Sequence, residues 1–119
     1  MDYENITELD LSNKGLDKLP DLSKYINLKK LDCRSNNIVA LDNLPLGLQT
    51  LYCGGNAIAR LDNLPPGLQI LKCGWNKLVA LDNLPPGLKK LYCTNNPLIY
   101  NFEPTLENIR NHNSRISLN

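Results

Sequence analysis

The four cysteines are the residues of this 119-residue chain that most invite a chemical role, because thiolates bind metals and form disulfides. They stand at Cys33, Cys53, Cys73 and Cys93, always 20 residues apart, and no Cys-x-x-Cys pair occurs. Zinc sites are typically built from such closely spaced pairs. We therefore expect buried thiols in a core, with an oxidised pair or a metal site as the alternatives, and we expect no cofactor.

Other residues that could do chemistry lack the partners they would need. His112 is the single histidine and carries no motif that would join it to a serine or cysteine nucleophile. Asp42, Asp62 and Asp82 recur at the repeat spacing, and their oxygens suit a weakly bound Ca²⁺. An Asp-Asn pair before Leu-Pro is also ordinary turn chemistry. With no P-loop, dinucleotide or His-Glu-x-x-His motif, we predict no catalytic residues, no metal site and no enzymatic activity.

The charge balance limits the classes of partner. Lys and Arg number 13 against 12 Asp and Glu, a net charge of +1, which offers no overall field for nucleic acid or an anionic membrane. No segment approaches the ~18 apolar residues of a membrane helix, and the first residues lack the basic and apolar regions of a secretory signal. We expect a cytoplasmic protein that binds neither nucleic acid nor membrane, since buried free thiols also favour a reducing compartment.

A 20-residue internal repeat explains the cysteine spacing and outranks any local prediction. The shift superimposes three rows of identical residues, which are Leu31, Leu51, Leu71 and Leu91; Cys33, Cys53, Cys73 and Cys93; and Asn36, Asn56, Asn76 and Asn96. A second block, Leu-Asp-Asn-Leu-Pro, recurs at 41–45, 61–65 and 81–85 and is each time followed by Gly-Leu. A looser copy precedes these units and has Lys14 where the others have Asn.

The spacing within each unit predicts a short strand. Leu31 and Cys33 are two residues apart, so they share one face of an extended segment. Units stacked about 4.8 Å apart would pair these strands in parallel and bury the Leu and Cys rows continuously. The returning Leu-Asp-Asn-Leu-Pro-Pro-Gly-Leu is too rich in proline for a helix, so we predict an extended, polyproline-like return with a type II turn at Pro66-Gly67 and Pro86-Gly87.

The asparagine row is predicted to be structural. A chain that turns out of a strand leaves backbone groups inside, and a buried amide supplies both donors and an acceptor for them. We therefore predict a ladder of buried asparagine amides, with a row of ligand-binding amides as the alternative.

The two ends of a repeat array need capping structures that shield the core from solvent. We predict one domain over 1–119, in which 1–27 form a degenerate N-terminal repeat and cap, 28–98 the regular repeats, and 99–119 the C-terminal cap. Asp21–Ile26 is expected to form a helical turn. Pro104–Asn111 is expected to form a short capping helix that buries Leu106 and Ile109.

The unit Leu-x-x-Leu-x-Cys-x-x-Asn-x-Ile/Leu resembles the leucine-rich repeat family, with Cys in place of Leu at the sixth position. The 20-residue length and the Leu-Pro-Pro-Gly-Leu return are similar to the short repeats of bacterial secreted effectors and of some giant-virus proteins. The resemblance implies a right-handed solenoid with a short parallel sheet on its concave face, and the host cytosol as a possible site of action. Effectors of this kind can carry a separate ubiquitin-ligase domain beyond their repeats. The resemblance concerns the repeats alone, so it implies no ubiquitin-ligase activity for this chain.

The outward positions of the strands define the concave face and differ from copy to copy, whereas the core positions repeat. Aromatic and basic residues gather near its middle, as they do in interface hot spots. The predicted partner-binding residues are Arg34, Tyr52, Ile70, Lys72, Trp75, Lys90 and Tyr92. We predict a monomeric, non-catalytic module that binds a peptide or small protein domain through this face. The alternatives are an architectural or self-associating unit, and a Trp75 that packs over the strand-end loop.

Overall fold

The computed structural model describes residues 2–117 and shows an elongated solenoid with one strand in each turn. Its principal extents are 49 × 26 × 20 Å. The strands are Glu8–Asp10 (β1), Lys30–Asp32 (β2), Thr50–Tyr52 (β3), Ile70–Lys72 (β4) and Lys90–Tyr92 (β5). A short 3-10 helix, Tyr3–Asn5, precedes them, and one α-helix, Leu106–Ser117 (α1), follows them.

The strands form one parallel sheet in the order of the sequence, β1-β2-β3-β4-β5. Their register aligns the central leucines in a straight row, which is Leu9, Leu31, Leu51, Leu71 and Leu91. One repeat therefore advances the chain by one strand, and the predicted leucine-rich-repeat fold is confirmed.

The core lies directly beneath the sheet and consists of the residues that the repeat keeps constant. Leu51, Cys53 and Ile58 of one unit are fully buried, as are Leu71, Cys73 and Leu78 of the next. Leu68 closes the same core from the returning side. Because a three-residue strand is too short to stand alone, each unit is stabilised by burying these side chains against its neighbours.

The asparagine row forms the ladder predicted from the sequence. The Asn76 side-chain amide donates to the carbonyls of Cys53 and Cys73, both at 3.0 Å, and its oxygen accepts the Ile58 N–H at 3.0 Å. Asn56 and Asn96 make the equivalent three bonds one turn earlier and one turn later. Each amide thus links its own turn to the preceding one.

The degenerate first copy is joined by the same device. The Asn36 side-chain oxygen accepts the N–H groups of Lys14 and Leu16, both at 3.0 Å. Lys14 stands where the other copies have Asn, and the first turn is held by the amide of the turn that follows it.

The predicted type II turns are wrong. The Leu68 N–H donates to the Pro65 carbonyl at 3.1 Å, which closes a turn at Pro66-Gly67, but Gly67 does not have the positive φ that a type II turn requires. The positive φ lies earlier in the return, at Asn63, with φ 56°. Asparagine enters this left-handed region readily, so Asn63 takes the backbone conformation that was predicted for Gly67.

The Asp21–Ile26 segment is not the helical turn predicted from the sequence. It forms a turn closed by the Tyr25 N–H on the Leu22 carbonyl at 3.0 Å. A second turn follows, closed by the Leu28 N–H on the Tyr25 carbonyl at 3.2 Å. The two turns bring Leu22 and Leu28 into the core.

The capping helix α1 begins at Leu106 and extends further than the predicted 104–111. The Thr105 hydroxyl accepts the Asn108 N–H at 3.1 Å, as an N-cap does, and Ile109 is fully buried. The Arg110 guanidinium donates from Nη2 to three carbonyls of the last return, those of Pro85, Pro86 and Leu88, at 2.9–3.1 Å. These bonds fasten the helix to the end of the solenoid.

Candidate functional site on the concave face

The concave face consists of three rows of side chains that leave the sheet opposite the leucine core. The first row is Glu8, Lys30, Thr50, Ile70 and Lys90, and the central row is Asp10, Asp32, Tyr52, Lys72 and Tyr92. The third row, two residues further along, is Ser12, Arg34, Gly54, Gly74 and Thr94. Because the strands are in register, neighbours within a row lie one strand spacing apart, about 4.8 Å.

Tyr52 is the centre of a cluster of cations on this face. The Lys72 Nζ lies 4.6 Å from the centre of its ring, the Lys30 Nζ 4.8 Å and the Arg34 Cζ 5.8 Å. The Lys72 Nζ also lies 5.1 Å from the centre of the Tyr92 ring. Lys72 of β4 is therefore held between an aromatic ring of β3 and one of β5.

Four of the seven predicted binding residues, Arg34, Tyr52, Lys72 and Tyr92, thus come together. Lys30 joins them although it was not among the residues predicted to bind a partner. The sequence signal for it was the register, since Lys30 is one strand away from Tyr52 in the repeat.

Arg34 differs from the lysines because it has an acidic partner. Its Nη2 lies 2.9 Å from the Asp32 Oδ2, and its Nε donates to the Asp32 Oδ1 at 3.0 Å. This hydrogen-bonded pair raises the pKa of the Arg34 guanidinium. The charge of Arg34 is therefore already matched within the chain.

Ile70 and Lys90 lie side by side in the first row, paired across β4 and β5. Ile70 is half-buried and Lys90 is exposed. They form the rim of the face beside the Tyr52 cluster.

Trp75 follows the third row, and its backbone is in the left-handed region with φ 59°. The equivalent positions of the other turns have the same geometry and are Asn13, Ser35, Gly55 and Asn95. Glycine and asparagine tolerate this geometry, whereas a bulky side chain is strained in it. Trp75 is also 68% exposed, so it does not pack over the strand-end loop. The chain holds a large aromatic ring in solvent at a conformational cost.

Gly54 and Gly74 leave bare backbone beside Trp75. A Cβ at Gly54 would lie 3.1 Å from the Gly74 carbonyl oxygen, and a Cβ at Gly74 would lie 3.1 Å from the Thr94 carbonyl oxygen. The third row therefore has a low floor between Arg34 and Thr94, over which another chain could pass.

The four cysteines lie on the opposite side of the sheet, in the core. All four are free thiols and buried. Burial raises the pKa of Cys33 and of Cys73 to about 12, and raises that of Cys53 well above its usual value. They are therefore protonated at neutral pH and unreactive while the chain is folded.

Within residues 2–117, no three His, Cys, Asp or Glu side chains are grouped so that they could hold a metal ion. The repeated Asp42, Asp62 and Asp82 are exposed. Asp62 forms a salt bridge with Arg60, in which the Arg60 Nε lies 3.4 Å from the Asp62 Oδ2. Over the same residues, no helix is both long enough and apolar enough to cross a membrane.

In-register parallel strands, extended returns and a ladder of buried and half-buried asparagine amides together define a leucine-rich repeat solenoid. The chain is similar to a solved structure described as a Shigella effector LRR domain, with a TM-score of 0.59 and 28% sequence identity over 81% of this chain. It spans about half the length of that neighbour, 52%. No family model matches the chain, and no curated protein matches it. The fold is that of a leucine-rich repeat solenoid, and this similarity supports the leucine-rich repeat family with a resemblance to a bacterial effector.

We expect Trp75→Gly to raise the free energy of unfolding by about 0.5–1 kcal/mol, because it removes left-handed strain without emptying a core site. Lys77→Gly is the matched control, since Lys77 is exposed and has no positive φ. It should lower the free energy by about 0.5–1 kcal/mol. Urea denaturation followed by circular dichroism measures both values. An equal loss of stability in both variants would show that the Trp75 ring contributes packing.

Proposed function

We propose that this chain is a non-catalytic protein-binding module whose concave face recognises a peptide or a small protein domain. The observation that carries the proposal is Trp75, a strained and exposed aromatic residue that directly follows Gly74 of the third row. Residues kept in unfavourable conformations concentrate at functional sites, and Trp, Tyr and Arg dominate interface energetics. Leucine-rich repeat solenoids commonly serve as scaffolds for protein interactions, which supports the same function.

The dimensions of the face favour a small partner. Five strands about 4.8 Å apart make a sheet roughly 20 Å wide, and the outward part of each strand is about 15 Å long. A standard interface buries around 800 Å² on each partner, which is more than this area provides. A peptide or a single loop therefore fits the concave face better than a large domain does.

The face can vary without disturbing the fold. Leu71 and Cys73 are fully buried, while Lys72 between them is exposed. A residue in the central row can therefore change while the core rows on either side stay the same. This separation explains why the outward rows differ between copies.

We expect the double variant Tyr52→Ala, Trp75→Gly to recover at least tenfold less partner than wild type in affinity capture from the native cell, because it removes two aromatic anchors. The matched control is Ile26→Ala, Leu46→Ala, which removes exposed apolar side chains away from the face; these are 68% and 81% exposed. The control should recover the partner as wild type does. Equal recovery by all three proteins would refute binding through the concave face.

The alternative, a self-associating unit, would use the open edges of the sheet, since β1 and β5 are each paired on one side within it. Light scattering of the purified protein across a concentration series separates the two functions. A constant monomer mass supports the binding module, and a mass that rises with concentration supports self-association.

We also propose that the module works in a reducing cytosol, which for a protein similar to a Shigella effector includes that of a host cell. Four buried free thiols support this, since oxidising compartments favour disulfides. Thiol titration of protein alkylated as the native cell is lysed should detect four reduced cysteines after denaturation and almost none before it. An oxidised pair would contradict this location.

A further inference from the structure

We propose that the partner meets the concave face with an extended acidic segment that crosses strands β2 to β5. This inference rests on the proposed function and specifies the chemistry of the partner. It follows from three features of the face, which are its unmatched lysines, the separation of its charges and its glycine floor.

The first feature is a set of lysines without acidic partners. Among the described residues the ion pairs are Arg34–Asp32 and Arg60–Asp62. Lys30, Lys72 and Lys90 therefore have no carboxylate within 4.0 Å in that part of the chain. A face with three unmatched ammonium groups favours a ligand that supplies carboxylates.

Two of these three lysines are also held in place. Lys72 lies between the rings of Tyr52 and Tyr92, and Lys30 lies over Tyr52. Contact with an aromatic ring restricts a long side chain but leaves its positive charge intact. Part of the entropy that a lysine loses on binding is thus lost already in the free protein.

The second feature is the separation of charges along the solenoid. Glu8 and Asp10 lie on β1, and hydrogen bonds from the Ser12 hydroxyl and N–H lower the pKa of the Asp10 carboxyl. Both carboxylates would repel an acidic ligand at that end. The acidic segment of the partner is therefore expected to lie over β2–β5 and to stop short of β1.

The third feature is space for a backbone. Gly54 and Gly74 place no side chain in the third row, between Arg34 and Thr94. The distance from β2 to β5 is three strand spacings, about 14 Å, which an extended chain of about five residues covers. Its alternate side chains, about 6.6 Å apart, could reach toward successive lysines.

The probe for this inference is a fluorescein-labelled decapeptide of alternating glutamate and serine, followed by fluorescence anisotropy. We expect it to bind wild type, with an affinity that falls as salt is added. Lys72→Ser and Lys90→Ser should each raise Kd about two- to fivefold, the range for one exposed ion pair. Lys77→Ser carries the same charge change outside the face and should leave Kd unchanged. Thermal melts check that the variants fold.

Three outcomes would overturn the inference. Lys77→Ser could weaken binding as much as Lys72→Ser does, which would indicate a general charge effect. A lysine–serine decapeptide could bind as tightly as the acidic one. A single-stranded DNA of ten thymidines could bind more tightly than the acidic peptide at the same salt concentration, which would indicate a nucleic-acid ligand.

The native partner separates this inference from the proposed function. If Lys72→Ser, Lys90→Ser captures it as wild type does while Tyr52→Ala, Trp75→Gly loses it, the acidic segment is refuted and binding by the concave face stands. If both double variants capture it fully, the proposed function fails as well.

Discussion

The asparagine amide that joins consecutive turns is the interaction on which the rest of this structure depends. A chain that leaves a three-residue strand must turn, and the turn exposes carbonyl and N–H groups to an apolar interior. The Asn76 side chain satisfies two carbonyls and one N–H from two different turns at once. Every buried side-chain nitrogen and oxygen of the described residues has a hydrogen-bond partner. Without such an amide these backbone groups would be left unpaired, which is costly in a core.

The ladder also determines where the chain can carry function. It fixes the inward positions of the four regular turns, in which Leu, Cys and Asn recur every 20 residues. The outward positions are free of that constraint. There Lys72 lies between the rings of Tyr52 and Tyr92. Trp75 takes a strained backbone conformation after the third row. The turn after each strand needs a left-handed residue, which glycine or asparagine would supply more easily than Trp75. A folding constraint is thus met by a residue that suits binding better than folding.

The sequence predicted the parts of the structure that follow from periodicity. The repeat spacing predicted the strands, their parallel register, the buried cysteines and the asparagine ladder, because each depends on which residues share a face. It was wrong about the left-handed residue of the return, which is Asn63 and not Gly67, because both residue types tolerate that geometry and the local sequence does not choose between them. It placed the end of α1 too early, since the helix continues beyond residue 111 to Ser117.

The arrangement of the residues proposed to bind a partner was less predictable than the core for a physical reason. The repeat could place Tyr52, Lys72 and Tyr92 on one face, but the cation–ring contacts depend on side-chain rotamers that the repeat does not specify. These contacts identified Lys30 as a member of the cluster. The strain at Trp75 could be recognised only from the backbone dihedral angles of the five equivalent turns.

The most direct measurement is the free energy of unfolding of Asn76→Ala compared with Asn37→Ala, whose side chain is exposed. If the ladder holds the turns together, Asn76→Ala lowers that free energy by about 1–3 kcal/mol, the penalty for leaving buried polar groups unpaired. Asn37→Ala should change it by less than about 0.5 kcal/mol. Equal stability of the two variants would contradict the ladder and the account built on it.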